Sequence, residues 1–519
     1  MDRKKSWIAP CLLAVACAGC LASGSSRGGG GPASDAGQAE VPSAGEVPAG
    51  FDATPEGQDL VAGDVGDIDP ERDAGDERAD EPRNPEDSRA VPDPAQEDAG
   101  AGSDDGDEDP GDLPPDGLPP WTGDAVDHPF EATGFFRVDL QPDRWWFVTP
   151  DGKPFYSVGV NHVQPGGERD RVTGRSPYGE AVAAGYPDRE AWAEATEERL
   201  RSWGFNTIGA WSDVGLFRER MPYTVILYLS GADWLTGQVP DYFAPEFEER
   251  CAAIAAREVA PRREDPGLLG WFLDNEMHWG PDWRTSRTLL EDYLSLPEGS
   301  PGRAVAERHA GDLSGFLLEA ASRFFEVATK AVRAADPNHL ILGSRFVSVM
   351  TPPEVVAAAG PFVDVVSVNY YAYVDGLAEA VQEAFAPLVP VDGWLRAFAD
   401  LSGRPVLITE FSFRAADSGL PNSWPPVYPV LETQADRADA FEDYATRSQE
   451  SPWVVGHHWF QYADEPPNGR FDGEDSNFGL VDNDDRPWEE LTARMARVHG
   501  TAPGRVHEPL LRMRQFRQK

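Results

Sequence analysis

Residues 129–519 predict an α/β fold, a (β/α)8 TIM barrel with an N-terminal β-hairpin, preceded by a disordered acidic tether. Three observations carry this expectation. The composition breaks near residue 128, short β-branched runs then alternate with longer helix-periodic stretches, and polar side chains collect at the C-terminal ends of those runs. Strand-helix alternation implies a parallel sheet, and in a barrel the C-terminal strand ends share one mouth.

Residues 1–20 have the anatomy of an export signal: a basic patch at Arg3, Lys4 and Lys5, an apolar run from Ile8 to Ala18, then Gly19 and Cys20. The run is too short to cross about 30 Å of hydrocarbon as a helix. Cys17-Ala18-Gly19-Cys20 resembles the lipobox of bacterial lipoproteins. That resemblance implies a lipoprotein signal peptide over 1–20, lipidation at Cys20, and a lipid anchor to a bacterial membrane for an exported protein at the outer membrane, the cell surface or the periplasm. Cys251 is then the single cysteine of the folded part, so neither an intrachain disulfide nor a cysteine-built zinc cluster is expected.

Residues 21–128 read as a disordered acidic linker rich in Pro, Gly and Asp, in runs such as GSDDGDEDPGDLPPDG, with too little apolar surface to fold. Over 22–128 there are 29 acidic and 5 basic residues, a net charge of −24. Residues 129–519 carry 59 and 37, a net of −22. Acidity in both parts argues against a nucleic-acid partner, because phosphate binding needs a basic surface. A neutral polysaccharide or oligosaccharide is the better match.

The hairpin is read in GFFRVDLQPDRWWFVTPDG, around Gln141-Pro142-Asp143. The candidate barrel strands are 155–161, 205–209, 223–229, 268–276, 339–345, 364–370, 405–410 and 454–460, with helices including 187–203, 313–335 and 434–450. The region exceeds a typical barrel of about 250 residues, which places the excess in loops such as 277–312 and 411–433. A doubly wound sheet is the structural alternative, but no Gly-rich phosphate loop supports it.

Two glutamates end the fourth and seventh predicted strands: Glu276, after Asp274 and Asn275, and Glu410, after Val406 and Ile408. Cleaving a glycosidic bond requires a proton for the leaving oxygen and either a nucleophile or an activated water, so two carboxyl groups must flank the bond. Strict alternation puts Val406, Ile408 and Glu410 on one inward face. It also sets the adjacent Asn275 and Glu276 apart, so both line a pocket only if that strand bulges or ends there. Asn161, His162, Arg345, Asn369 and Tyr371 stand at other strand ends.

These residues resemble clan A of the glycoside hydrolases, in which an Asn-Glu pair ends strand four and a Glu ends strand seven. Within it, VVGHHWFQYADEPPNGRFDGEDSNFGLVDNDDRPW (454–488), DRWWFVTPDGKPFYSVGVNHV (143–163) and DPNHLILGSRF (336–346) look like β-agarase motifs. The resemblance implies a retaining mechanism with Glu276 as acid/base and Glu410 as nucleophile. It further implies Asn275 at the sugar 2-hydroxyl, Tyr371 bonded to the nucleophile, Trp459 stacked beneath the sugar, and His458 in the pocket; Gln461 belongs to the same motif and is taken with the binding residues. One departure is plain: the agarase pattern after strand seven reads roughly Glu-Phe-His-Phe-Gly, whereas this chain reads Glu410-Phe411-Ser412-Phe413-Arg414.

No cofactor and no metal is expected. The acidic runs Asp472–Asp475 and Asp482–Asp485 lack EF-hand spacing and read as solvated loops, and the adjacent His457 and His458 point opposite ways on one strand. The reading of best fit is a retaining glycoside hydrolase cleaving β-galactoside-type polysaccharide. A β-mannanase or β-glucanase of the same clan, and a non-catalytic carbohydrate-binding lipoprotein, are the alternatives.

Overall fold

The computed structural model describes residues 130–141, 143–371, 391–425 and 428–501. The expected export signal, Cys20 and the acidic linker lie outside the described residues.

Two sheets build the framework. Strands β1 (Arg137–Leu140) and β2 (Trp145–Val148) pair antiparallel, and β3 (Pro154–Phe155) joins the far edge of β2. The second sheet has nine parallel strands: β4 (Ser157–Val160), β5 (Thr207–Ile208), β6 (Tyr223–Ile226), β7 (Leu268–Phe272), β8 (Leu340–Ile341), β9 (Phe346–Val347), β10 (Val366–Asn369), β11 (Val406–Phe411) and β14 (Val454–Trp459). The short pair β12 (Arg414–Ala415) and β13 (Val430–Leu431) lies apart from it. The large sheet runs β8-β7-β6-β5-β4-β14-β11-β10-β9. Its end strands β8 and β9 are consecutive in the chain, and the carbonyl of Ile341 accepts from the amides of Asp364 and Val365, just ahead of β10. The single run expected over 339–345 is thus two short strands separated by a bend at Gly343 and Arg345, both at positive φ.

The helices follow from capping and apolar spacing. Helix Arg189–Ser202 starts on Asp188, whose side chain accepts from the amide of Ala191, and buries Trp192, Ala193, Thr196 and Leu200. Helix Gln434–Glu450 begins with a capping box of Thr433 and Asp436. Helix Leu313–Ala335, capped by Asp312, presents Phe316, Ala320, Phe324, Ala328 and Val332 to the core. The segment 277–312, expected as a loop, contains helices Leu289–Leu294 and Pro301–Arg308, the first held by a Thr288–Glu291 capping box. Cys251 is buried and free, with its thiol pushed up to about 12 by burial.

Core packing separates the two faces of the large sheet. Leu269, Leu340, Leu342, Val365, Leu407 and Val455 form one cluster with Phe136, Phe147 and Phe155 of the N-terminal sheet, which closes that end. Val406, Ile408, Val366, Val368 and Val454 belong instead to the large core shared with the helices. This corrects the expectation for β11: Val406 and Ile408 face the helices, and Leu407 fills the inner layer. Glu410 should then point outward by alternation. Between β10 and β11, however, Val368 pairs with Ile408 and the next residue, Asn369, pairs with Glu410, so Thr409 is skipped. This bulge re-aims Glu410 to the inner side.

Candidate active site

The second glutamate reaches the same place by a different route. Strand β7 stops at Phe272, and Glu276 adopts a left-handed φ of 47°. Such a backbone is costly for a non-glycine residue and persists where surrounding bonds over-determine it. Here the amide of Glu276 donates to the carbonyl of Arg345, and its carbonyl accepts from Arg284 Nη1 at 2.9 Å. The expected distortion therefore takes the form of strand termination and a reversed turn.

The side chains of Asn275, Glu276, Arg345, Asn369, Tyr371 and Glu410 form one bonded network. Asn369 Nδ2 lies 2.9 Å from Glu276 Oε1 and 2.8 Å from Glu410 Oε1, so those two oxygens are at most 5.7 Å apart, the sum of the two bonds. Asn369 is itself oriented by Thr409 Oγ1, which donates to Asn369 Oδ1 at 2.7 Å. The residue skipped by the bulge thus positions the amide that bridges the carboxylates. Arg345 donates through Nη2 to Glu410 Oε1 and through Nε to Asn275 Oδ1 at 2.8 Å. Its guanidinium sits 4.3 Å from the ring centroid of Trp211. Tyr371 Oη donates to Glu410 Oε2 at 2.9 Å, and its ring stacks on Tyr428 at 4.6 Å.

Burial sets the electrostatics. Glu410 is 5% exposed, and burial, reinforced by the charge of Glu276, pushes its carboxyl up to about 7 against the opposing pull of Arg345 and Tyr371. Burial and the Glu410 charge push the Tyr371 phenol well above its ordinary range, so it remains a donor. Glu276 is only partly buried, and its second oxygen, Oε2, accepts from Trp234 Nε1 at 3.2 Å.

Five predicted site residues have other surroundings. Trp459 is corrected: it is 1% exposed, its indole donates to the carbonyl of Phe478, and Phe411 and Phe441 pack on it. Alternation places it on the helix side of β14, opposite His458, so it is core and has no open face for a sugar. Asn161 is fully buried, donating to the carbonyl of Thr409 and accepting from the amide of Ala210, and so ties strand ends together. His458 faces inward: its Nε2 is 2.8 Å from Ser157 Oγ, and Gly159 leaves room for the ring, since a Cβ there would stand 2.3 Å from His458 Cδ2. Burial, with the Arg345 charge nearby, lowers the imidazole to about 3. Gln461 is 1% exposed, and its side-chain amide finds no hydrogen-bond partner among the described residues, while its backbone N–H donates to the carbonyl of Phe478. His162 packs at 4.9 Å from Trp211 and pairs with Glu168 at 2.9 Å, which links it to the network through Trp211.

The acidic runs also require correction, because neither is a free solvated loop. Arg470 pairs with Glu474 at 2.6 Å and with Asp472 at 3.0 Å, and Asp475 accepts from the amides of Ser423 and Trp424. Asp485 binds Arg199, Tyr178 and Tyr186. Sequence reasoning also missed Trp211, Trp234, Arg284 and Tyr428; the available signal was an aromatic or basic residue in a loop that follows a strand, which is where a rigid scaffold carries its binding groups.

The chain is 30% identical to β-agarase A of Vibrio sp. (strain JT0107) over 375 residues, covering 61% of this chain and 36% of that protein. It is 24% identical to β-agarase B of the same strain over 471 residues, covering 70% and 47%. Both curated relatives are β-agarases. The chain spans between a third and a half of their length. Among solved structures, an agarase, AgWH50C, matches at 26% identity with a TM-score of 0.61, covering 73% of this chain and 65% of that one. An exo-β-agarase matches at 23% identity with a TM-score of 0.59, covering 73% and 66%, and shows the shared fold. No known family profile matches the chain.

Proposed function

We propose that the chain is a retaining glycoside hydrolase acting on agarose or a closely related β-galactoside polysaccharide, with Glu276 as acid/base and Glu410 as nucleophile. The observation that carries this reading is the single amide nitrogen of Asn369 bonded to both carboxylates, which keeps their nearest oxygens within 5.7 Å. Carboxyl groups about 5 to 5.5 Å apart suit direct attack on the sugar, whereas inverting enzymes need about 6.5 to 9.5 Å to admit a water. The β-agarase relatives support the choice of glycan. We take the nine strands as the staves of a closed (β/α)8 barrel in which β8 and β9 together make one stave. We also assign export and lipid anchoring at Cys20, with residues 21–128 holding the catalytic domain away from a membrane.

In the first step Glu276 gives its proton to the glycosidic oxygen while Glu410 attacks the anomeric carbon, so the C–O bond to the leaving sugar breaks as the bond to Glu410 forms. In the second step Glu276 takes a proton from water, and the resulting hydroxide equivalent displaces Glu410, restoring both carboxyls and the starting anomer. Arg345 and Tyr371 orient and stabilise the Glu410 carboxylate, and Asn275, held by Arg345, faces the sugar hydroxyl beside the reacting carbon.

Because attack requires ionised Glu410, kcat/KM is expected to fall about tenfold per pH unit below an apparent pKa near 7. A profile that is flat down to pH 5 contradicts the nucleophile assignment. The substrate class is tested by incubating the protein with agarose, porphyran, galactan, mannan and glucan oligosaccharides and reading product mass and first-formed anomer by NMR. Agarose cleavage with retained configuration is expected; mannan or glucan cleavage alone, or inverted product, overturns the reading.

A further inference from the structure

The two oxygens of Glu276 have different neighbours, and the difference divides the site. Oε1 is turned to Asn369 and hence toward Glu410, while Oε2 is turned to the indole of Trp234. Around Trp234 stand two more aromatic rings from separate loops: Trp283, with centroids 6.1 Å apart, and Phe471, at 6.3 Å. Trp234 and Trp283 are partly exposed and Phe471 is 39% exposed, so this is not a sealed core contact.

The wall is braced from behind. Arg284 Nη1 donates to the carbonyl of Glu276 at 2.9 Å and to that of Trp234 at 3.4 Å, while the guanidinium lies 4.4 Å from the Trp283 ring. Arg284 is held in turn by Asp282 at 2.6 Å. One buried cation therefore ties the acid/base segment to two of the three aromatic residues. Phe471 is set by its neighbour Arg470, which pairs with Asp472 and Glu474.

We propose that Trp234, Trp283 and Phe471 form the subsite for the departing sugar, the unit that leaves with the proton of Glu276. This inference rests on the hydrolase reading above. In a retaining reaction the nucleophile and the acid lie on opposite sides of the breaking bond, and the leaving group exits past the acid. Glu410 is on the Oε1 side, so the leaving sugar lies on the Oε2 side, against the aromatic wall. Aromatic planes suit the C–H face of a pyranose while leaving its hydroxyls to solvent or polar neighbours.

The test compares two substrates in the full chain: an agarose oligosaccharide, whose leaving group is a sugar, and the β-fluoride of an agarose-derived disaccharide, whose leaving group is fluoride. Trp283→Ala and Phe471→Leu are assayed, the latter because it keeps an apolar side chain and spares the fold. The ratio of kcat/KM on the oligosaccharide to kcat/KM on the fluoride is expected to fall about tenfold or more in each variant, since a lost ring contact of about 1.4 kcal/mol is a factor of ten. If both substrates lose rate equally, or neither does, the wall does not hold the leaving sugar and the inference is overturned. If the unaltered protein turns over neither substrate, the hydrolase reading fails first and takes this inference with it.

Discussion

Glu410→Gln is expected to reduce agarose-oligosaccharide turnover by about four to six orders of magnitude while making the folded protein more stable above neutral pH. Both effects arise from the same burial. The activity is lost because a Gln amide cannot form the glycosyl-enzyme bond. The stability change follows from linkage. Burial raises the Glu410 carboxyl from the ordinary 4.5 to about 7, so its contribution to folding is fully present below about 4.5 and lost as pH rises through about 7. At about 1.4 kcal/mol per pH unit, the rise corresponds to about 3 kcal/mol. Gln resembles the protonated acid and carries no such loss. Denaturant unfolding should show the two proteins equal at pH 4 and the variant ahead by up to about 3 kcal/mol at pH 8. A variant less stable at pH 8 contradicts the assignment of Glu410 as a destabilised, buried anion.

Glu276→Gln is expected to show a smaller loss that depends on the leaving group. Removing a general acid costs roughly 10²- to 10⁴-fold where the leaving oxygen needs a proton, and much less where it does not. The oligosaccharide should lose rate in that range, whereas an aryl glycoside with an acidic phenol should keep most of its first-step rate. Equal losses on both substrates contradict the acid role. A Gln side chain keeps one of the two acceptors, so it accepts from Asn369 or from Trp234 but not from both, and because the residue is only partly buried circular dichroism should be unchanged.

Much of this site was legible in the sequence because strand ends announce themselves. Apolar β-branched runs stop where Asn275, Glu276, Asn369 and Glu410 begin, and a parallel sheet brings such ends together. Four predicted residues, Asn275, Arg345, Asn369 and Tyr371, contact each other or the glutamates directly. The face that each side chain takes was less legible, because it depends on register with a partner strand. The skipped Thr409 leaves Glu410 facing inward while Val406 and Ile408 face the helices, and no local feature of VLITEF marks the skip. Trp459 failed for the converse reason: alternation already opposed it to His458, and only a motif likeness placed both in one pocket. The bracing of Glu276 by Trp234 and Arg284 joins segments that neither periodicity nor turn chemistry connects.

The nucleophile can be identified by covalent capture. A 2-deoxy-2-fluoro β-galactosyl derivative with a good leaving group slows the second step more than the first, so the sugar remains bonded to the attacking carboxylate. Digestion and tandem mass spectrometry should then place one sugar on Glu410, with no label on Glu410→Gln. A label on Glu276 or on any other residue, or continued turnover with no adduct, contradicts the account.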